Sequence, residues 1–495
     1  MRTQALCRDG PRLRRRGDLP DSRVYEAKGM AMVGDEIAYV TAQELLAAYR
    51  DKSLSPVAVA SALFDRLDAL QPKLNAFIIV DREGAMAAAR ASEQRWQKGA
   101  PQGPLDGVPV TIKDIMRMRG FPTRRGSRLT DPTPDAEDAP ASARLREAGA
   151  VILGKTTSPE FGWKALGDSP LTGITRNPWD PSRTSGGSSA GAGAACAAGI
   201  APLHVGTDGA GSIRTPSSFC GVVGLKPTFG RVPAHPPSAM GLLANTGPMT
   251  RSVRDAALMM NVLTGPDYRD PYALPAEDRD YLAGLDDGVK GWRVAYSPDL
   301  GYARVDPEVA AAVAEGARQF EALGARVEQV GQIFPSPREA LLTIWGAGTA
   351  RLLASLPAER HGECDPGLVA ASPKPGEIGA VDYLAADAER TELGRRLGEF
   401  FQGYDLLVLP TQPVPALPVG QDLNDPAAER HWIDWSPFSY PFNMARLPAA
   451  TVPCGLTKAG LPIGLQIVGP RYADHRVLRA ARALETTQPA RRPPL

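Results

Sequence analysis

Apolar residues along this chain follow two alternating rhythms, one of helical period and one of short, unbroken runs. From Thr41 the pattern TAQELLAAY opens a helix. Thr41 is placed to cap it, Glu44 to reach back to the cap, and Leu45, Leu46 and Tyr49 supply the apolar positions. A second helix starts at SPVAVASALFDRL, with Ser55 as cap and Pro56 at the first helical position. Leu63, Phe64, Leu67 and Leu70 line one face of it. An Ala-rich helix is predicted from about Arg82 to Trp96.

Strands then enter. GVPVTIK and AVILGK read as strands around the helix SARLREAG, and a small-residue helix from about Ala190 to Ala198 precedes the strand PLHVGT. This alternation predicts an α/β layer structure around a largely parallel or mixed sheet. Residues 267–431 are less regular, with Pro-rich joints such as FPSPRE and PTQPVPALP, and are read as helical insertion and lid material. AATVPCGL and PIGLQIVG return to strand character before a last helix, HRVLRAARALE, and are expected to complete the same sheet.

Composition narrows the class. The 495 residues are 43% hydrophobic and 22% charged, the balance of a globular protein with a substantial core. A formal net charge of +1 gives no electrostatic footprint for nucleic acid or an anionic membrane, and no apolar run is long enough to span one. The 50 Gly and 47 Pro predict many turns. Five scattered cysteines, Cys7, Cys196, Cys220, Cys364 and Cys454, form neither a disulfide framework nor a zinc spacing, which points to the cytoplasm. Residues 1–35 are basic and broken by Gly and Pro, and are read as a disordered leader, with Met30 and Met32 as alternative starts and order beginning near Thr41.

Three stretches carry candidate chemistry. TSGGSSAGAGAACAAG places Ser185, Ser188 and Ser189 at a helix entry where packing alone would not call for three hydroxyls. GTDGAGSIRTP sets Gly209, Ala210 and Gly211 before Ser212; successive N–H groups in such a turn can converge on an oxyanion, and Arg214 can brace Asp208. Lys113 ends the apolar strand VPVTI, and if buried it would shed its proton and become a usable base. GAVILGKT matches a phosphate-loop pattern, but its four intervening residues are themselves the strand, so no loop can form. None of the five histidines stands in a triad motif; His204 reads as a core residue and Cys220 as a buried, inert thiol.

Together GVPVTIKDI, SGGSSAGAGAACAAG and GTDGAGSIRTPSSFCGVVGLKPTFGRV resemble the amidase signature family in order and spacing. LNAFI, GAVILGKTTSPEFG, GPMTRSVRDAALMMNVLTG and GLPIGLQIVGP extend the likeness to roughly residues 40–270 and 400–485. The resemblance implies one domain over residues 36–485, followed by a tail at 486–495. Its fold would be a large mixed, mostly parallel twisted sheet covered by helices on both faces, with a helical lid. It also implies a serine hydrolase that cleaves C–N bonds through an acyl-enzyme, without metal or cofactor. Ser212 would be the nucleophile and Ser188, behind a cis Gly187–Ser188 peptide, the bridge. Lys113 would be the base, helped into place by Ser189. The N–H groups of Gly209, Ala210, Gly211 and Ser212 would form the oxyanion hole. Where the family usually carries two glycines before the nucleophile, Ala210 replaces the first, which keeps the N–H.

Met240, Leu242, Leu243, Trp345, Trp432, Trp435 and Phe438 are the candidate pocket walls, and they lean toward a bulky or aryl amide, with carbamates and ureas as related substrates. Small-molecule amide and water are the expected partners, for a monomer or homodimer. The alternative is the glutamine-hydrolysing component of a tRNA-dependent amidotransferase. That component carries an SSLDQ-like segment where this chain has GLLANTGPMTR.

Overall fold

The structure is a computed structural model and describes residues 24–27, 30–488 and 491–495. The leader expected over 1–35 therefore lies outside the described residues as far as 23. Beyond that, β1 (Val24–Ala27) and β2 (Met30–Val33) pair antiparallel, so regular structure starts ahead of Thr41. The two β-forming runs, VYEA and MAMV, are short and follow directly on a basic stretch that hides their pattern.

The remaining strands are β3 (Phe77–Val80), β4 (Pro109–Lys113), β5 (Val151–Thr156), β6 (Asp168–Ser169), β7 (Gly173–Ile174), β8 (Leu203–Asp208), β9 (Val223–Lys226) and β10 (Asn245–Thr250), then β11 (Arg293–Tyr296), β12 (Arg326–Gln329), β13 (Leu406–Pro410), β14 (Ala449–Leu456) and β15 (Pro462–Val468). Eleven of them form one mixed sheet in the order β12-β11-β13-β15-β14-β9-β10-β8-β4-β5-β3. Parallel pairing occupies the two flanks, β12-β11-β13 and β8-β4-β5. The run between them is antiparallel, as is the edge strand β3.

Successive side chains of a strand point to opposite faces, and here both faces find a core. Leu406 and Val408 of β13 enter one apolar cluster while Leu407 and Leu409 enter another. Ile152 of β5 likewise faces away from Val151 and Leu153, which pack under the N-terminal helices. A sheet apolar on both faces must be covered on both, and its strands lose the polar alternation that marks a half-exposed sheet.

The helices follow their sequence signals closely. Thr41 and Glu44 form the capping box of Ala42–Arg50, and Ser55 caps Pro56–Leu74. The small-residue helix runs over Ala190–Ala197, every residue buried. Its glycines are needed for approach: a Cβ on Gly191 would collide with the Ala76 carbonyl. Residues 267–431 require a correction. Expected as helical insertion and lid, they also supply β11, β12 and β13 to the sheet. β11 and β12 are four residues long, too short to show a period, and β13 is buried on both faces. Among the described residues no helix is long and apolar enough to cross a membrane.

Candidate active site

Because β4 and β8 are parallel neighbours, with Ile112 opposite Val205, their C-terminal ends open on the same edge of the sheet. Ligand sites of α/β sheets form at such edges. Lys113 ends β4 and Asp208 ends β8, and the turn Gly209–Ser212 follows directly.

Lys113 is fully buried. Its Nζ lies 2.7 Å from Ser188 Oγ, 2.9 Å from Thr207 Oγ1 and 3.5 Å from the Thr207 carbonyl. No carboxylate pairs with it among the described residues. Burial drives its pKa well below that of an ordinary lysine, against the opposing pull of the Asp208 charge. The peptide Gly187–Ser188 is cis, as the resemblance implied.

Ser189 makes no hydrogen bond to Lys113 among the described residues, a correction to its expected role. Its hydroxyl donates to the Thr207 carbonyl at 3.1 Å and accepts from the Thr207 N–H at 3.2 Å, so it braces the threonine that does hold the lysine. Its own N–H donates to the Ser212 carbonyl at 3.0 Å, tying the two serine loops together. Thr207 gives no signal in the sequence, where a threonine near a strand end reads only as a good β-former.

Ser212 is almost buried, and its hydroxyl has no hydrogen-bond partner among the described residues while lining the pocket. Ahead of it the turn is braced as expected. Arg214 grips Asp208 through Nε to Oδ2 and Nη2 to Oδ1, both at 2.9 Å and both side chains fully buried. Arg214 also reaches Gln466 Oε1 at 2.6 Å and the Ser439 carbonyl at 2.8 Å. Burial alone would raise the Asp208 pKa; the guanidinium beside it holds it below the usual carboxylate range. One oxyanion donor is corrected by this bracing. The Gly211 N–H is spent on Asp208 Oδ1 at 2.7 Å. The N–H groups of Gly209, Ala210 and Ser212 keep no partner among the described residues. Gly211 itself is required at φ +124°, where a Cβ would strike Ser439.

Ser188, Ser212, Thr207 and Gly209 share one pocket with Ile115, Met116, Arg125, Phe161, Gly162, residues 233–240, Asn245, Trp345 and Leu352. Of the seven expected wall residues, Met240 and Trp345 are there. Leu242, Leu243, Trp432, Trp435 and Phe438 do not line it. Trp432 stands behind Trp345, edge-on at 5.6 Å, and Trp435 stacks on Phe219 at 6.2 Å. Leu243 and Phe438 are fully buried core. Large side chains serve core and pocket alike, so composition does not separate them.

The other candidates resolve into scaffolding. His204 shares a 2.7 Å contact with Thr111 Oγ1 and one of 3.1 Å with the Ala201 carbonyl, and burial lowers its pKa to about 3. The Cys220 thiol is fully buried and its pKa pushed up. Lys155, from the strand that mimics a phosphate loop, pairs with Asp114 at 2.9 Å in the interior. No cluster of three His, Cys, Asp or Glu side chains is arranged to hold a metal among the described residues.

The chain is similar to known proteins along most of its length. Residues 58–478 match the family model described as Amidase. An acylamidase of Rhodococcus erythropolis is 38% identical over 467 residues, which cover 92% of this chain and 97% of the relative. A glutamyl-tRNA(Gln) amidotransferase subunit of Myxococcus xanthus is 36% identical, covering 91% of this chain and 97% of that one. The crystal structure of a bacterial aryl acylamidase of the amidase signature enzymes superposes with a TM-score of 0.86 at 32% identity, covering 92% of this chain and 97% of its own.

Proposed function

The chain belongs to the amidase signature family, whose members hydrolyse C–N bonds, and on that premise we propose that it is a serine amidase in which Ser212 forms a covalent acyl-enzyme. The observation that carries this reading is a fully buried lysine, paired with no carboxylate among the described residues and hydrogen-bonded to Ser188 in the pocket that Ser212 lines. Burial lowers the Lys113 pKa and so favours its neutral amine. It can take the Ser188 proton as Ser188 takes that of Ser212, and Ser212 Oγ attacks the substrate carbonyl.

The oxyanion then accepts from the free N–H groups of the Gly209–Ser212 turn, which Asp208 and Arg214 hold rigid before the reaction begins. Donors fixed in advance need no reorganisation as charge develops. Lys113 is now protonated, and the proton returns through Ser188 to the leaving amine, which departs. Water, deprotonated by the same relay, attacks the ester of Ser212 and releases the acid.

Trp345, Met240, Phe161 and Leu352 give the pocket an apolar wall suited to bulky or aryl amides. Carbamates and ureas pass through similar tetrahedral intermediates and belong to the same proposed range. The test is intact-mass analysis after treatment with a fluorophosphonate and with a 4-nitroanilide. One adduct, mapped to Ser212 and lost in Ser212→Ala, is expected; labelling elsewhere with activity retained overturns the assignment. The likeness to amidotransferase components makes glutamine hydrolysis the second reading, and faster turnover of glutamine than of any anilide would favour it.

A further inference from the structure

Arg125 marks where the pocket departs from what a neutral amide requires. Its backbone is held at φ +51°. Its N–H donates to the Asp114 carbonyl at 3.0 Å, and its carbonyl accepts from the Phe161 N–H at 2.7 Å. Asp114 follows Lys113 in the chain. Phe161 precedes Gly162, where an added Cβ would lie 3.1 Å from Ser188 Oγ. The residue is thus pinned on two sides to neighbours of the reacting groups, and it lines the same pocket as Ser188 and Ser212.

The guanidinium has no hydrogen bond and no ion pair among the described residues. Acidic groups nearby are already engaged: Asp114 with Lys155 at 2.9 Å, and Asp135 with Arg117 at 3.6 Å and the Thr123 hydroxyl at 2.5 Å. Burial and the positive charge of Arg117 weigh against its charged form, and the charges of Asp135 and Asp114 offset them only in part. Of the described residues that line the pocket only Arg125 and His235 have ionisable side chains, and His235 faces Glu137 at 3.4 Å. A cation partly withdrawn from water without a directly bonded anion carries a desolvation cost that a bound anion offsets. Its planar fork of donors matches a carboxylate in two parallel bonds.

We propose that Arg125 is a specificity determinant that selects amides bearing a carboxylate, docking that group while the scissile carbonyl meets Ser212. The proposal rests on the hydrolase reading of the same pocket. It takes two matched substrate pairs to test it. Butyryl and succinyl 4-nitroanilide place the carboxylate on the acyl side; the acetyl amides of 4-methylaniline and 4-aminobenzoate place it on the amine side. In at least one pair the wild-type enzyme is expected to prefer the carboxylate by about tenfold or more. Arg125→Gln should lose roughly 10- to 100-fold on that substrate, mostly in KM, and lose less on the neutral partner, so that the preference shrinks. Arg125→Lys, which keeps the charge but not the fork, should fall between, and the preference should shrink with added salt.

A measurement without turnover separates the two readings. Calorimetric titration of Ser212→Ala with succinate and benzoate should detect binding that is lost in Ser212→Ala/Arg125→Gln. If the wild-type enzyme cleaves no anilide, the hydrolase reading fails and carboxylate binding alone decides the role of Arg125. Equal losses on both members of each pair, no loss on either, or carboxylate binding that survives Arg125→Gln overturns the proposal.

Discussion

Lys113 Nζ stands 2.7 Å from Ser188 Oγ, at the end of a strand with no residue exposed, and Thr207 rather than an acid holds its other side. A lysine placed this way works as a base only while it is neutral. Its depressed pKa sets the acid limb of activity: kcat/KM should fall as pH drops through that pKa and level off above it. Lys113→Ala should cost about two to four orders of magnitude in kcat and abolish that limb. A pH–rate profile of both enzymes checks this, and an unchanged acid limb in the variant would contradict it.

The same lysine makes stability depend on pH. Unfolding lets it regain a proton, so the unfolded state binds more protons wherever the pH lies between the lowered folded pKa and about 10.4. Wild-type stability should therefore rise with pH relative to Lys113→Met across that window. Urea denaturation of both proteins at pH 6 and pH 9 measures the gap, which should shift in favour of the wild type at the higher pH.

Ser212→Ala should separate activity from stability cleanly. Its hydroxyl has no partner among the described residues, so removal should change unfolding free energy by no more than about 0.5 kcal/mol. Hydrolysis should drop by about four orders of magnitude or more. Denaturation and nitroanilide turnover on one preparation test both halves.

Arg214→Met should do the opposite, damaging fold and function together. It leaves Asp208 charged and buried without its guanidinium, a loss of about 3–5 kcal/mol, and loosens the turn that presents the oxyanion donors. The check is a chemical denaturation midpoint. A stability close to wild type would mean that Asn443 Nδ2, 2.9 Å from Asp208 Oδ1, suffices alone.

Two tryptophans offer a contrast. Trp345 lines the pocket and Trp435 stacks on Phe219 away from it. Trp345→Ala should raise KM for aryl amides with a moderate loss of stability. Trp435→Ala should cost about 3–5 kcal/mol and leave the ranking of substrates unchanged in whatever folds. A substrate series on both variants, with melting temperatures, tells them apart.

Local signals were legible where one residue type answers one local requirement. Ser55 and Pro56 open a helix because an N-terminus needs an acceptor and tolerates a missing N–H, and the structure starts that helix at Pro56. Lys113, Ser188 and Ser212 were conspicuous because each is polar amid apolar or glycine-rich neighbours. Thr207 and Arg125 carried no such contrast. A threonine suits a strand, and an arginine in TRRGS reads as solvated surface.

What the sequence determined by itself was local: which stretches are strand or helix, where glycine lets backbone approach, and which hydroxyls and amine are out of place as core. Those depend on neighbours in the chain and on periods of two or about four residues. Tertiary structure alone decided the rest. It put Thr207 rather than Ser189 beside Lys113, and it spent the Gly211 N–H on Asp208. It folded β11, β12 and β13 of the expected lid into the sheet, and left two of seven large apolar candidates in the pocket wall. Each outcome turns on which groups meet across long loops, and a hydrogen bond or a buried face is chosen by its partner, not by the residue alone.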